Sequence, residues 1–114
     1  MAAPHLLLGR KGERFACRHL LRKGFDILAR RWRGRSGELD LVAFEGELLV
    51  FLEVKTRTSA QYGDPWEFVD VNKQMILRRT AEEFISTYEL EQYTYRFDIV
   101  SVVGREVTLY RNAF

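Results

Sequence analysis

The spacing of apolar and polar residues changes several times along the chain, and each change marks an element. From about Gly9 to Lys23 the spacing is helical. Ala16, Leu20 and Leu21 share a stripe with Gly12 or Cys17, while Arg14, Arg18 and Arg22 repeat on another side. Gly24 stands where a left-handed helix stop belongs. Phe25 to Trp32 alternates as a strand through Phe25, Ile27 and Ala29, and Arg33-Gly34-Arg35-Ser36-Gly37 has the composition of a loop. Leu39–Phe44 and Leu48–Lys55 read as two strands joined by a turn at Glu45-Gly46. Residues 56–65 form a loop that holds Gly63, Asp64 and Pro65. Asn72 is the expected N-cap of a second helix running to about Tyr88, with Ile76, Leu77, Thr80, Ala81, Phe84, Ile85 and Tyr88 facing the core. Tyr95–Val103 and Glu106–Tyr110 are strands about a Gly104-Arg105 turn. The order α-β-β-β-α-β-β predicts an α/β fold with one mixed five-stranded sheet and helices packed on it. Residues 1–8 read as a flexible tail and 9–114 as a single domain.

The central hairpin is the most informative stretch. With a two-residue turn at Glu45-Gly46, Asp40 lies opposite Phe51 and Glu38 opposite Glu53. Glu38, Asp40, Val42 and Phe44 then share a face with Glu47, Leu49, Phe51, Glu53 and Lys55. The other face carries Leu39, Leu41, Ala43, Leu48, Val50, Leu52 and Val54 and must be core. The first face is apolar in its middle and charged at the hairpin's open end. There Asp40 and Glu53 are diagonal neighbours, roughly 7–8 Å apart at the backbone.

Composition narrows the class. With 46% hydrophobic and 13% aromatic residues over 114 positions, wholesale disorder is excluded. No apolar run approaches the ~18 residues of a membrane span. One cysteine makes no internal disulfide, and the short Leu6–Leu8 run is no export signal, so the cytoplasm is the expected compartment. The net charge of +2 hides a division: residues 1–35 carry +8 and residues 36–114 carry −6. Such a basic segment suits a polyanion, although a solvated helix face would read the same way.

Chemistry concentrates where the hairpin gathers charge. Glu and Lys are depleted in strands and are rarely buried unpaired. Asp40 and Glu53 repel unless a cation or a shared proton lies between them. Two hard carboxylates suit Mg²⁺, which keeps several waters, with Mn²⁺ as a substitute. Lys55, on the same face, could hold an attacking water or offset developing phosphate charge. The plainer reading is an ion pair from Lys55 to Glu53 or Asp40 at an exposed sheet end. No His/Cys cluster has zinc spacing, and His5 and His19 read as surface residues. Trp32 and Trp66 could stack on bases, but packing is the commoner use of Trp. Cys17 reads as a small core residue and Asp98 as a structural pairing partner.

Asp40 followed by Glu53-Val54-Lys55 resembles the PD-(D/E)xK nuclease core. A wider set of residues occurs in order. It comprises Gly9-Arg-Lys-Gly-Glu13, Ala16, Leu20, Gly24-Phe25-Asp-Ile27-Leu28, Arg30 and Gly37 through Ala43. It continues through Leu49 to Arg57, Gly63-Asp-Pro65, Lys73, Arg96-Phe97-Asp98 and Asn112-Ala113-Phe114. Together they resemble the YraN-like UPF0102 family. The resemblance implies a restriction-endonuclease-like three-layer α/β/α fold, similar to archaeal Holliday-junction resolvases. It further implies that Asp40 and Glu53 ligate the metal with the Val54 carbonyl as a third donor. By the same resemblance Lys55 positions or activates the water, and Glu13 is an outer acid at the site's edge. Glu38 belongs to the family's Gly-Glu-aliphatic-Asp motif and is a supporting acid. Leu39 stands where the superfamily's namesake proline would precede Asp40.

Two functions follow. The first is a Mg²⁺-dependent DNA endonuclease, structure-selective for a junction or flap, with phosphate affinity from Arg10, Lys11 and Arg14 of the first helix and from Arg57 and Lys73. Arg78 and Arg79 are weaker candidates for that role, and Gln74 would approach the site from the second helix. The second is a catalytically silent nucleic-acid-binding or adaptor module of the same fold. A nuclease this small would work as a homodimer or with a DNA-processing partner, away from membranes.

Overall fold

In a computed structural model, residues 11–57 and 69–114 are described. The expectations for residues 1–10, for Gly63, Asp64 and Pro65, and for Trp66 lie outside them, as does the Lys11 side chain. Among the described residues the elements are α1 (Lys11–Arg22), β1 (Asp26–Arg33), β2 (Glu38–Glu45), β3 (Leu48–Arg57), α2 (Val71–Thr87), β4 (Tyr95–Val103) and β5 (Glu106–Tyr110).

The stop after α1 is chemical. Gly24 takes φ +92, the Phe25 N–H donates to the Leu20 carbonyl and the Gly24 N–H to that of Leu21. This pairing satisfies the helix's last carbonyls, and Leu20 and Phe25 bury their side chains together. The chain then forms a five-stranded sheet in the order β1-β2-β3-β4-β5. β2 is antiparallel to both of its neighbours, β1 and β3; β3 and β4 are parallel with α2 in the crossover, and β5 is antiparallel to β4.

A helix covers each face. Ala16, Cys17 and Leu20 of α1 pack on Leu41, Ala43, Val50, Leu52, Val100 and Val102. Leu77, Ala81, Phe84 and Ile85 of α2 pack on Leu39, Val42, Leu49, Phe51, Phe97 and Ile99. With both faces covered, β3 reads as an almost unbroken apolar run, and the few charges within it stand out.

Five sequence expectations need correction. Thr56 and Arg57, expected in the loop of residues 56–65, continue β3 and pair with Val102 and Val103. The hairpin turn is Gly46-Glu47, not Glu45-Gly46: Glu45 pairs with Leu48, and Gly46 takes φ +61 at the first central position, glycine's role in a type II′ turn. The two-residue shift keeps each side chain's face but moves Asp40 from opposite Phe51 to the level of Glu53. Leu39 belongs to the α2 face with Val42, not to the face of Leu41. Alternation breaks there, opposite Arg31 at φ +49 and beyond a bulge between Ile27 and Ala29. The N-cap of α2 is Asp70, whose Oδ1 accepts from the Lys73 N–H at 2.8 Å, rather than Asn72. Ile76 and Tyr88 are exposed, because the buried stripe of α2 is the narrower set Leu77, Thr80, Ala81, Phe84 and Ile85.

Candidate active site

The β2–β3 ladder ends at Leu41 and Leu52. One step beyond, the Asp40 carboxylate takes over a backbone acceptor's role: Oδ2 accepts from the Val54 N–H at 2.9 Å. This bond fixes the carboxylate against β3 beside Glu53. Within a strand a residue's N–H and C=O leave on the same side, so the Val54 carbonyl is also directed toward β2.

Glu53 is only 5% exposed. Burial, followed by the Asp40 charge, pushes its pKa up to about 7, against opposing pulls from Lys73 and Lys55. Lys73, on the first turn of α2, places Nζ 3.1 Å from Glu53 Oε1. Burial opposes the Lys73 charge, but Glu53 outweighs it and the pKa is raised. Lys55 shifts the other way, lowered by burial and by the adjacent Lys73 ammonium despite Glu53 and Asp40. Two acids and two lysines thus share one half-buried corner, where Glu53 holds its proton more tightly than an exposed carboxylate.

Glu13, Arg31 and Glu38 form a second charged cluster, with Arg31 on β1 across from Asp40. Arg31 lies 3.3 Å from Glu13 and 3.5 Å from Glu38, and Glu38 also pairs with Arg33 at 3.1 Å. Gly12 brings α1 against the end of β3 so closely that a Cβ there would overlap the Thr56 hydroxyl.

Several residues singled out in the sequence have other partners. The Gln74 amide donates to the Val69 carbonyl at 3.0 Å. Arg57 donates to Ser101 Oγ at 3.3 Å, and Arg78 lies over the Phe97 ring at 4.8 Å. Arg14 and Arg79 are exposed. Trp32 packs edge-on against Phe84, and its Nε1 donates to the Tyr88 hydroxyl at 3.0 Å, so it is a packing residue. Cys17 is buried, and burial raises its pKa. Asp98 is fully buried in a bidentate pair with Arg96, both contacts 2.7 Å, and accepts from the Asn112 N–H.

The sequence reading missed Lys73 as Glu53's partner and assigned it to phosphate instead. Nothing local signals that pairing, since 20 residues and a helix cap separate the two positions. The role of Glu83, which accepts from the Arg35 and Ser36 N–H groups, was also missed.

Comparison with known proteins places this chain in a family. A UPF0102 protein of Caldicellulosiruptor saccharolyticus is 40% identical over 113 residues, covering 94% of this chain and 96% of its own length. One from Chlorobaculum tepidum is 41% identical over 107 residues, covering 94% and 82%. One from Rhodococcus opacus is 44% identical over 101 residues, covering 89% and 86%. Residues 12–102, from the start of α1 nearly to the end of β4, match the profile of the uncharacterised protein family UPF0102, and the chain belongs to that family.

Proposed function

We propose that this chain is a Mg²⁺-dependent endodeoxyribonuclease of the restriction-endonuclease-like class that hydrolyses phosphodiester bonds, with a junction or flap as its substrate. The observation that carries the reading is the pair Asp40 and Glu53, brought level on adjacent strands with Glu53 almost wholly desolvated. Two like charges in that setting call for a cation. Among the described residues no trio of His, Cys, Asp or Glu converges. Two carboxylates and the Val54 carbonyl are a donor set for a hard ion that keeps several waters, and Mg²⁺ or Mn²⁺ fits. When bound, the ion would supply charge neutralisation at the phosphoryl oxygens and a more acidic water.

The chain's own residues do the remaining work. Asp40 is held in place by the Val54 N–H. Lys55 stands beside both acids, its pKa lowered, where its ammonium can orient the attacking water and offset charge that develops on the phosphate. Glu13 and Glu38, both paired with Arg31, would be the outer acids on the β1 side. A homodimer or a DNA-processing partner would bring a second site to the other strand.

One observation favours a second reading, a catalytically silent nucleic-acid-binding module. Lys73 already gives Glu53 a positive partner within the chain. A gel assay separates the two. Linear duplex, single strand, flap and four-way junction DNA are incubated with Mg²⁺, Mn²⁺ or EDTA, with Glu53→Gln beside the wild type. Metal-dependent cutting that disappears in Glu53→Gln is expected. Salt-sensitive binding with no cutting of any substrate would overturn the nuclease in favour of the binding module.

A further inference from the structure

The segment Arg33 to Gly37 is a loop by composition, but it is not a loose one. Its backbone is fastened to α2. The Arg35 N–H donates to both oxygens of Glu83, at 2.9 and 2.8 Å, and the Ser36 N–H donates at 3.2 Å. The Gly34 N–H donates to the Gly37 carbonyl at 2.8 Å and closes the turn. Both glycines are demanded by the contact. A Cβ on Gly34 would come within 2.6 Å of Glu83 Oε1 and the Trp32 ring, and one on Gly37 within 2.8 Å of Ile76.

What the loop does not fasten is its arginines. The Arg35 side chain is 97% exposed and that of Arg33 is 80% exposed. Arg35 has one long contact, 3.9 Å, to Glu83, and Arg33 pairs with Glu38. An ordinary solvated arginine needs no anchored backbone beneath it. Here the anchoring removes backbone entropy in advance, so engaging an anion orders only the side chains.

The loop lies at the same end of the sheet as the acids, because β2 begins at Glu38 and reaches Asp40 two residues later. α2 sets the spacing. Lys73 sits on Glu53, and Glu83 holds the loop ten residues further on, so the two anchor points lie roughly 15 Å apart along the helix. A nucleic-acid strand advances about 3.4 Å per phosphate along the duplex axis. A strand with one phosphate at the acids therefore has further phosphates within reach of the loop.

We infer that the end of β1 at Arg33 and the loop of residues 34–37 that follows form a pre-ordered clamp for the phosphodiester backbone of DNA, engaging through Arg33 and Arg35 the strand that enters the acidic corner. The inference rests on the nucleic-acid reading of that corner, but not on its being catalytic.

The test is equilibrium binding of a fluorescent duplex of about 20 base pairs, titrated over a range of salt in EDTA. Each phosphate contact contributes about 0.9 to the slope of log affinity against log salt. The Arg33→Ala/Arg35→Ala variant should lose about 1.8 from that slope, and the Arg33→Lys/Arg35→Lys variant should keep most of it. Arg22→Ala, exposed at the far end of α1 from Gly12, should leave the slope unchanged. A wild-type slope in the double alanine variant, or no duplex binding by the wild type, would overturn the clamp. Because the titration is run in EDTA it reads binding without cleavage, so a nuclease reading that fails by gel assay leaves this result standing.

Discussion

The two ends of the sheet handle buried acid in opposite ways. At the end where β2 starts and β3 finishes, Asp40 and Glu53 are crowded together and Glu53 is pushed up to about 7. At the other end, where β2 finishes and β4 starts, Glu45 is held down to about 2, chiefly by the Arg111 guanidinium and then by Arg96. Arg96 is shared between Glu45 and the buried Asp98, and Asp98 in turn accepts from the Asn112 N–H. Every charge there has an opposite, and the network ties the last residues to the sheet. Phe114 stacks on Phe97 with centroids 5.1 Å apart, and the Ala113 N–H donates to the Phe97 carbonyl. One end is built for stability. The other crowds two acids beside two lysines, where burial and the Asp40 charge raise the pKa of Glu53.

The comparison breaks most sharply in activity. Asp40→Asn should lower metal-dependent cleavage by ~10³-fold or more, several kcal/mol of transition-state stabilisation, without lowering the melting temperature. The fold survives because the amide oxygen still accepts from Val54 N–H. Gel cleavage and a thermal melt check the two halves. At the opposite end the effects reverse. Asp98→Ala should leave Arg96 half-paired in a buried setting and destabilise the protein by about 3–5 kcal/mol, measurable by urea unfolding.

Acidity gives a third contrast. Folded Glu53 keeps its proton to about pH 7, whereas its unfolded value is 4.5. Metal-free stability should therefore fall as pH rises from 4.5 to about 7, by on the order of 1–3 kcal/mol, and saturating Mg²⁺ should remove the decline. For Glu45 the folded value lies below the unfolded one, so its contribution is full above pH 4.5 and is lost as pH falls toward 2. Melting curves across pH, with Glu53→Gln as control, separate the two windows. The smallest effect is Trp32→Phe, which removes the bond to Tyr88 but keeps the aromatic packing, and should cost about 1 kcal/mol by the same unfolding measurement.

Much of this arrangement was legible in the chain. Strand period two put Asp40, Glu53 and Lys55 on one face, and a register error of two residues could not undo that, because an even shift preserves sidedness. The turn itself was misplaced because Glu45-Gly46 and Gly46-Glu47 offer the same glycine, and only the backbone tells which central position it fills. Leu39 was misassigned because alternation assumes a regular strand, and the irregularity lies partly on β1, at Arg31. The partners of the charges were the least legible. Lys73 with Glu53, Arg96 with Glu45 and Glu83 with Arg35 each join elements far apart in sequence, and no local pattern encodes them.

The broken course of β1 has a consequence for the molecule among its own copies. β1 is an outer strand, with β2 on one side only. A flat outer strand is a template on which another chain's strand can grow, and unchecked growth ends in aggregates. Here the bulge between Ile27 and Ala29 and the left-handed turn at Arg31 spoil the row of donors and acceptors, while Arg30 and Arg33 stand exposed along it. Two such edges brought together antiparallel would meet out of step and with like charges crowded along them. The arginines of this strand thus also keep the sheet from lengthening at that edge.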